Sequence, residues 1–196
     1  MIVVVSGLPR SGTSMMMRMV SLGGVPVVTD NQRSADEDNL LGYFEDERAK
    51  TLHRDNSWLG EAVGKAVKII SFQLRHLPPT YRYKVIFMLR NLDEVLASQR
   101  KMMERRGEPV GDVEDDKMKR IFQKHLSEVK KWLASQENIE TLYVDYLRAL
   151  EDPASVAREV KEFLGLELDT EKMVEAVDPS LYRQRVAKAQ RKDFHI

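Results

Sequence analysis

Residues Ser6-Gly7-Leu8-Pro9-Arg10-Ser11-Gly12-Thr13-Ser14 constrain this chain more than any other stretch. They follow an apolar run, Ile2 to Val5, of strand length and precede a Met-rich run that includes Met15, Met16, Met17, Met19, Val20 and Leu22. A buried strand, a tight glycine turn and a helix N-terminus together place several backbone N–H groups and the positive end of a helix dipole around one point. Such a point is an anion site. The helix expected over about 13–22 is apolar nearly all round, which places it against a sheet, and Gly23-Gly24 ends it.

The rest of the chain supplies the sheet. Apolar runs of strand length occur at 2–5, 25–28, 66–71, 84–89 and 140–144, with helical patterns between most of them. Buried strands alternating with helices predict an α/β fold, a central parallel sheet flanked by helices in three layers, built as a single domain over 1–196. Ligands in such sheets bind beyond the carboxyl ends of the strands, where both the glycine loop and Arg90 fall. Asn91 is the expected cap of a helix through Val95, Leu96, Gln99 and Met103, with Glu94 placed for a capping box. Met118, Ile121, Phe122, His125, Leu126, Val129, Trp132 and Leu133 keep helical spacing, so His125 lies on a packing face and reads as a boundary residue before it reads as a catalyst. Asp152-Pro153 opens a further helix that Gly165 closes. Residues 170–196 read as a short helix and a basic tail. Residues 104–117, dense in charge and containing Gly107, Pro109 and Gly111, read as a loop, either a solvated connection or a lid.

Composition narrows the function classes. Lys plus Arg number 31 and Asp plus Glu 31, so no global basic field marks a nucleic-acid binder, and phosphate affinity must be local. With no cysteine there is no disulfide, thiolate catalyst or thiolate metal site. No apolar run reaches the roughly 18–20 residues of a membrane span, and the loop follows the N-terminus too closely for a signal peptide. The expectation is a soluble, cytoplasmic protein.

The spacing Gly7-x4-Gly12 is that of a nucleotide P-loop, but Thr13 stands where the phosphate-binding lysine belongs and the loop cation is Arg10. An arginine there offers a fork of donors to a terminal oxyanion. Arg90, at the end of the fourth apolar run, with Ser98 two turns into the next helix, suits a second anion. A kinase-like alternative needs a metal-holding carboxylate after a strand, and Asp145 is placed for it.

These residues resemble the sulfotransferase superfamily that uses 3′-phosphoadenosine 5′-phosphosulfate (PAPS). Pro9-Arg10-Ser11-Gly12-Thr13-Ser14 is similar to its 5′-phosphosulfate loop. Leu89-Arg90-x2-Asp93-x4-Ser98 is similar to its 3′-phosphate motif. Tyr143-Val144-Asp145-Tyr146-Leu147, Asp152-Pro153 and Phe163-Leu164-Gly165 resemble its later strand–helix segment, in the same order. The resemblance implies sulfuryl transfer from PAPS, with 3′-phosphoadenosine 5′-phosphate (PAP) as product and no metal, to a hydroxyl or amine of a small-molecule, carbohydrate or lipid acceptor. It implies that Pro9 to Ser14 hold the 5′ group, Arg10 meets the sulfuryl and bridging oxygens, and Arg90 and Ser98 hold the 3′-phosphate. The tail residues Arg183 and Arg185 fall where the family places further basic contacts; the other reading is a solvated tail. The family's histidine base has no counterpart, because Ile70 stands in its place. Glu45 is the first alternative base, with His53, Asp36 and Glu37 behind it; Glu45 also reads as a helix N-terminal carboxylate, and a chain that has lost its base would be a non-catalytic module that binds PAPS or PAP. Lys68 is either a sulfuryl contact or a solvent-facing strand lysine. Trp58 either stacks on adenine or is half-buried in the core. No motif names the acceptor, whose specificity is expected in 30–62 and 104–117.

Overall fold

The computed structural model describes residues 1–30, 44–108 and 114–182. Four parallel strands form its sheet: β1 (Ile2–Gly7), β2 (Ala66–Lys68), β3 (Tyr83–Leu89) and β4 (Ile139–Asp145), in the order β2-β1-β3-β4. β1 is therefore central. Its six residues are all buried, as a strand covered on both faces requires.

Alternation along the strands sorts the core. Val3 and Val5 of β1, with Ile86 and Met88 of β3, face α1 (Thr13–Leu22), α5 (Tyr146–Glu151), α6 (Pro153–Leu164) and α7 (Thr170–Glu175). Ile2, Val4, Val85 and Phe87 face the opposite layer. That layer holds α4 (Asp115–Ala134) and the short 3-10 helices Ser57–Ala62 and Ser71–His76. α3 (Leu92–Arg106) packs with α4 around Leu8, Leu92, Val95, Leu96 and Phe122. The result is the three-layer, P-loop-like α/β architecture expected from the alternation of strands and helices.

The local signals hold where they are strongest. α1 spans the expected residues and Gly23 caps it. The Asn91 side chain accepts from the amides of Asp93 and Glu94. Asp152 caps α6, with Pro153 at its first position, and Gly165 ends it in the left-handed conformation.

Three expectations are corrected. Residues 25–28 form no strand: only Val27 bridges Ala66, because Pro26 lacks a donor and the segment contributes just the Pro26 carbonyl and the Val28 amide to the edge of β2. β2 stops at Lys68, and the 3-10 helix takes over at Ser71. The segment 104–117 is not one loop, since α3 runs to Arg106, Gly107 caps it with φ 64°, and α4 starts at Asp115. Ion pairs Arg100–Asp115 and Lys119–Asp93, the latter at 2.8 Å, tie α3 to α4 beside it. Residues 109–113 lie outside the described residues, and with them the lid reading. Among the described residues no helix is long and apolar enough to cross a membrane.

The end of β1 is the tightest point of the fold. Gly7 lies opposite Met88 of β3 with φ 145°, and a Cβ there would sit 2.7 Å from the Met88 carbonyl oxygen and 2.4 Å from Ser11 Oγ. The carbonyl belongs to a central strand and does not yield. Gly7→Ala is expected to destabilise the protein by about 2–4 kcal/mol through overpacking and backbone strain. A urea midpoint equal to that of the wild type would disprove this.

Candidate functional site

Carboxyl ends of β1, β2 and β3 meet at one edge of the sheet, and the sequence-predicted residues gather there. The loop from Gly7 to Gly12 turns sharply. Arg10 adopts φ 72°, an uncommon left-handed conformation for a residue with a side chain, and Gly12 adopts φ 99°. Ser11 N–H donates to the Leu8 carbonyl at 3.1 Å, closing the turn. A Cβ on Gly12 would lie 2.4 Å from the Tyr146 ring, so that residue must be glycine for α5 to sit against the loop.

α1 begins at this turn. Its first intrahelical bond runs from the Met16 amide to the Gly12 carbonyl at 3.1 Å, and no side chain caps the end. The amides of the first turn therefore have no acceptor within the helix. The first turn carries no acidic residue to offset its dipole. Ser11 Oγ is buried and has no hydrogen-bond partner among the described residues. An anion supplies what such a loop lacks: acceptors for the amides and for the orphaned hydroxyl.

Three cations flank the cradle. Arg10 donates from Nε to Ser98 Oγ at 3.0 Å, which joins the glycine loop to α3. A hydroxyl that accepts from Arg10 keeps its own O–H to donate elsewhere. Arg90 donates from Nη1 to the Arg10 carbonyl at 3.1 Å and from Nε to Glu94 Oε2 at 3.1 Å. Its guanidinium lies 4.5 Å from the centre of the Tyr146 ring and 5.7 Å from that of Tyr182. Burial pushes the Tyr146 phenol up, with Arg90 opposing, so the ring stays neutral beneath the cation. Ser98 thus pairs with Arg10, while Arg90 is held one turn nearer the start of α3.

Lys68 is the third cation. The pleat decides its direction: Ala66 packs on the α1 side and Val67 on the other, so Lys68 returns to the α1 side. It points inward, 8% exposed, and donates from Nζ to Ser14 Oγ at 3.0 Å and to Glu45 Oε1 at 3.0 Å. The solvent-facing alternative is thereby set aside.

Glu45 is held from behind. Its carbonyl accepts from the Asp30 amide at 3.1 Å and from Thr29 Oγ1 at 3.0 Å. Its other carboxylate oxygen faces Lys50 Nζ at 3.6 Å. Asp46, not Glu45, caps the short helix α2 (Glu47–Lys50), accepting from the Arg48 amide. Glu45 is therefore a carboxylate beside the cradle, linked to α1 through Lys68 and Ser14.

Other sequence expectations fall elsewhere. Trp58 is buried in the layer opposite α1 with Arg48 stacked 4.7 Å from its ring, so it is not offered to the loop. His53 is exposed, near His76. His125 meets Ser71 Oγ through Nε2 at 2.9 Å and stacks on Phe72; burial, then Arg75, holds its imidazole below the usual range and hence neutral at pH 7. Asp145 accepts from the Arg148 amide at 2.9 Å and caps α5, which commits to structure the carboxylate a kinase-like reading needs. Asp36, Glu37, Arg183 and Arg185 lie outside the described residues.

Sequence reasoning missed Lys50, Glu94, Tyr146 and Tyr182 as members of this cluster. Glu94 follows Arg90 by four residues, a spacing that signals an ion pair; instead of reaching back to the Asn91 amide as a capping box would, its carboxylate turns to Arg90 and to the Tyr182 hydroxyl. Nothing local marks the two tyrosines.

The fold recurs in solved sulfotransferases. A sulfotransferase domain from the curacin biosynthetic pathway is 13% identical, over 90% of this chain and 77% of its own, with a TM-score of 0.53. A sulfotransferase from Alicyclobacillus acidocaldarius is 15% identical, over 92% of this chain and 98% of its own, at 0.52. A mouse sulfotransferase solved in complex with PAP is 15% identical, over 96% of this chain and 67% of its own, at 0.51. Identities this low establish a shared fold and no more. No curated protein sequence matches the chain. The sulfotransferase-domain family model, however, matches residues 2–190, from the first residue of β1 to beyond the last described helix. Matched over nearly its whole length, the chain belongs to the sulfotransferase-domain family.

Proposed function

We propose that this protein transfers the sulfuryl group of PAPS to a hydroxyl or amine of an acceptor, and that Arg10, Lys68 and Glu45 are its catalytic residues. The observation that carries the reading is the Arg10–Ser98 hydrogen bond. It joins the glycine loop, suited to one phosphate, to the second turn of α3, suited to another, which supports two anion sites along one edge. A nucleotide phosphorylated at its 5′ and 3′ positions matches that pair. The PAP bound to the mouse sulfotransferase of the same fold is such a nucleotide.

In this reading Gly12, Thr13 and Ser14 present amides and hydroxyls to the 5′-phosphate, with Pro9 and Ser11 shaping the loop. Arg90 and Ser98 take the 3′-phosphate. Sulfuryl transfer forms a bond from the acceptor oxygen or nitrogen to sulfur and breaks the bond from sulfur to the 5′-phosphate oxygen. Charge gathers on the departing phosphate, where the α1 amides, Arg10 and Lys68 are already in place, so the barrier falls without reorganisation of the site. The proton leaves the acceptor for a base, and Glu45 is a carboxylate beside the cradle. Lys68 bridges it to Ser14, which fixes one carboxylate oxygen relative to α1 and leaves proton acceptance to a group of defined position. Arg183 and Arg185 would add charge near the nucleotide. The acceptor is a small molecule, carbohydrate or lipid that reaches Glu45. The reading puts the protein in the cytoplasm and asks for no metal.

PAP without Mg²⁺ is expected to raise the melting temperature, and ATP with Mg²⁺ to raise it far less. Stabilisation by Mg·ATP alone would instead favour a kinase. Arg90→Ala is expected to weaken PAP binding by about 1.5–3 kcal/mol, the worth of charged hydrogen bonds, as read by calorimetry. An unchanged dissociation constant would remove Arg90 from the site. Glu45→Gln is expected to bind PAP normally while turnover with a competent acceptor drops by about 100-fold or more, the usual contribution of a general base. Retained turnover would assign the base elsewhere.

A further inference from the structure

The sequence reading gives Tyr182 no role. In the structure it ends a buried chain of contacts that leads to Arg90. Its hydroxyl donates to Glu94 Oε1. The other oxygen of the same carboxylate, Oε2, accepts from Arg90 Nε at 3.1 Å. Tyr182 is 7% exposed and Glu94 4%, so water does not compete well for either bond. The Tyr182 ring also meets Tyr146 edge-on, at 5.8 Å and 77°, and the two rings flank the guanidinium.

A carboxylate with one cationic partner can rotate and offer either oxygen. A donor on Oε1 removes that freedom and commits Oε2 to Arg90 Nε. A guanidinium is planar and rigid, so fixing Nε, with Nη1 on the Arg10 carbonyl, sets the direction of the whole fork. Glu94 belongs to α3 and Tyr182 lies 88 residues later, so the set of Arg90 depends on a segment remote in sequence.

We propose that Tyr182 is a positioning residue for nucleotide recognition, acting through Glu94 to aim Arg90 at the phosphate on the ribose 3′ oxygen. The inference rests on the reading that Arg90 binds that phosphate. A residue that merely fills the core would affect all ligands of the site alike; a residue that aims Arg90 affects only ligands bearing the 3′-phosphate.

PAP and adenosine 5′-phosphate differ by that one group, and their affinities for wild type, Tyr182→Phe, Arg90→Ala and the double variant separate the possibilities. For Tyr182→Phe, which keeps the ring and loses only the hydroxyl, PAP is expected to bind about tenfold more weakly while adenosine 5′-phosphate is unaffected, as for loss of one charge-assisted hydrogen bond. In the Arg90→Ala background the hydroxyl should no longer matter, because the two changes act through one contact. If Arg90→Ala lowers the preference for PAP but Tyr182→Phe leaves it unchanged, or weakens both ligands equally, the role of Tyr182 is overturned and that of Arg90 stands. A preference untouched by Arg90→Ala overturns the underlying reading instead. Should Tyr182→Phe be too unstable to assay, Glu94→Gln interrupts the same chain while leaving the tyrosine a partner. It should show the same selective loss, and an equal loss for both nucleotides would sink the proposal.

Discussion

The contact on which this structure depends is the close approach of the glycine loop to the strand and helix beside it. Gly7 lies against the Met88 carbonyl and Gly12 against the Tyr146 ring, both at distances that no Cβ tolerates. These two contacts seat the loop between β3 and α5. They bring the Arg10 carbonyl within reach of Arg90 and the Arg10 side chain within reach of Ser98. They also place the start of α1 where Lys68 can reach it. A loop displaced by an added methyl group would part the three cations, although none of them is in the loop's tightest contacts.

Charge in this protein is organised locally. The chain is neutral as a whole, yet Arg10, Lys68 and Arg90 collect at one edge of the sheet. Gathering cations in a site with little water is unfavourable unless each has a partner. Glu45 serves Lys68, Glu94 serves Arg90, and the Ser98 hydroxyl serves Arg10. The partners differ in kind. Two are full charges and one is a neutral hydroxyl.

Most of the architecture was legible because it is written in local signals. The caps at Asn91 and Asp152, the ending glycines at 23 and 165, and the Met-rich α1 each depend on residues within a turn of one another. The strand expected at 25–28 failed because apolar content does not reveal whether a partner edge will be used; Pro26 was the visible warning. In the candidate site, the sequence supplied Arg10, Glu45, Lys68, Arg90 and Ser98 but not their pairings, nor the neighbours Lys50, Glu94, Tyr146 and Tyr182. It offered Arg90 and Ser98 as joint holders of one anion but not their own contacts, Ser98 with Arg10 and Arg90 with Glu94. The inward turn of Lys68 was open to a reading by alternation with Val67, once β2 was placed. Contacts between Tyr182 and α3 span most of the second half of the chain and leave no local trace.

The hydrogen bonds that hold Glu45 have a consequence for how the chain can change over evolution. Residues 30 and 45 are joined at a neck, with the Asp30 amide on the Glu45 carbonyl and the Glu47 amide on Asp30 Oδ2 at 2.8 Å. The stretch of sequence between residues 30 and 45 begins and ends at these bonds. Because closing a longer excursion adds little entropic penalty, insertions and deletions there are tolerated without moving the carboxylate. The chain can thus gain or lose residues between 30 and 45 while Glu45 keeps its place beside Lys68, a tolerance built into one backbone bond and one side-chain bond.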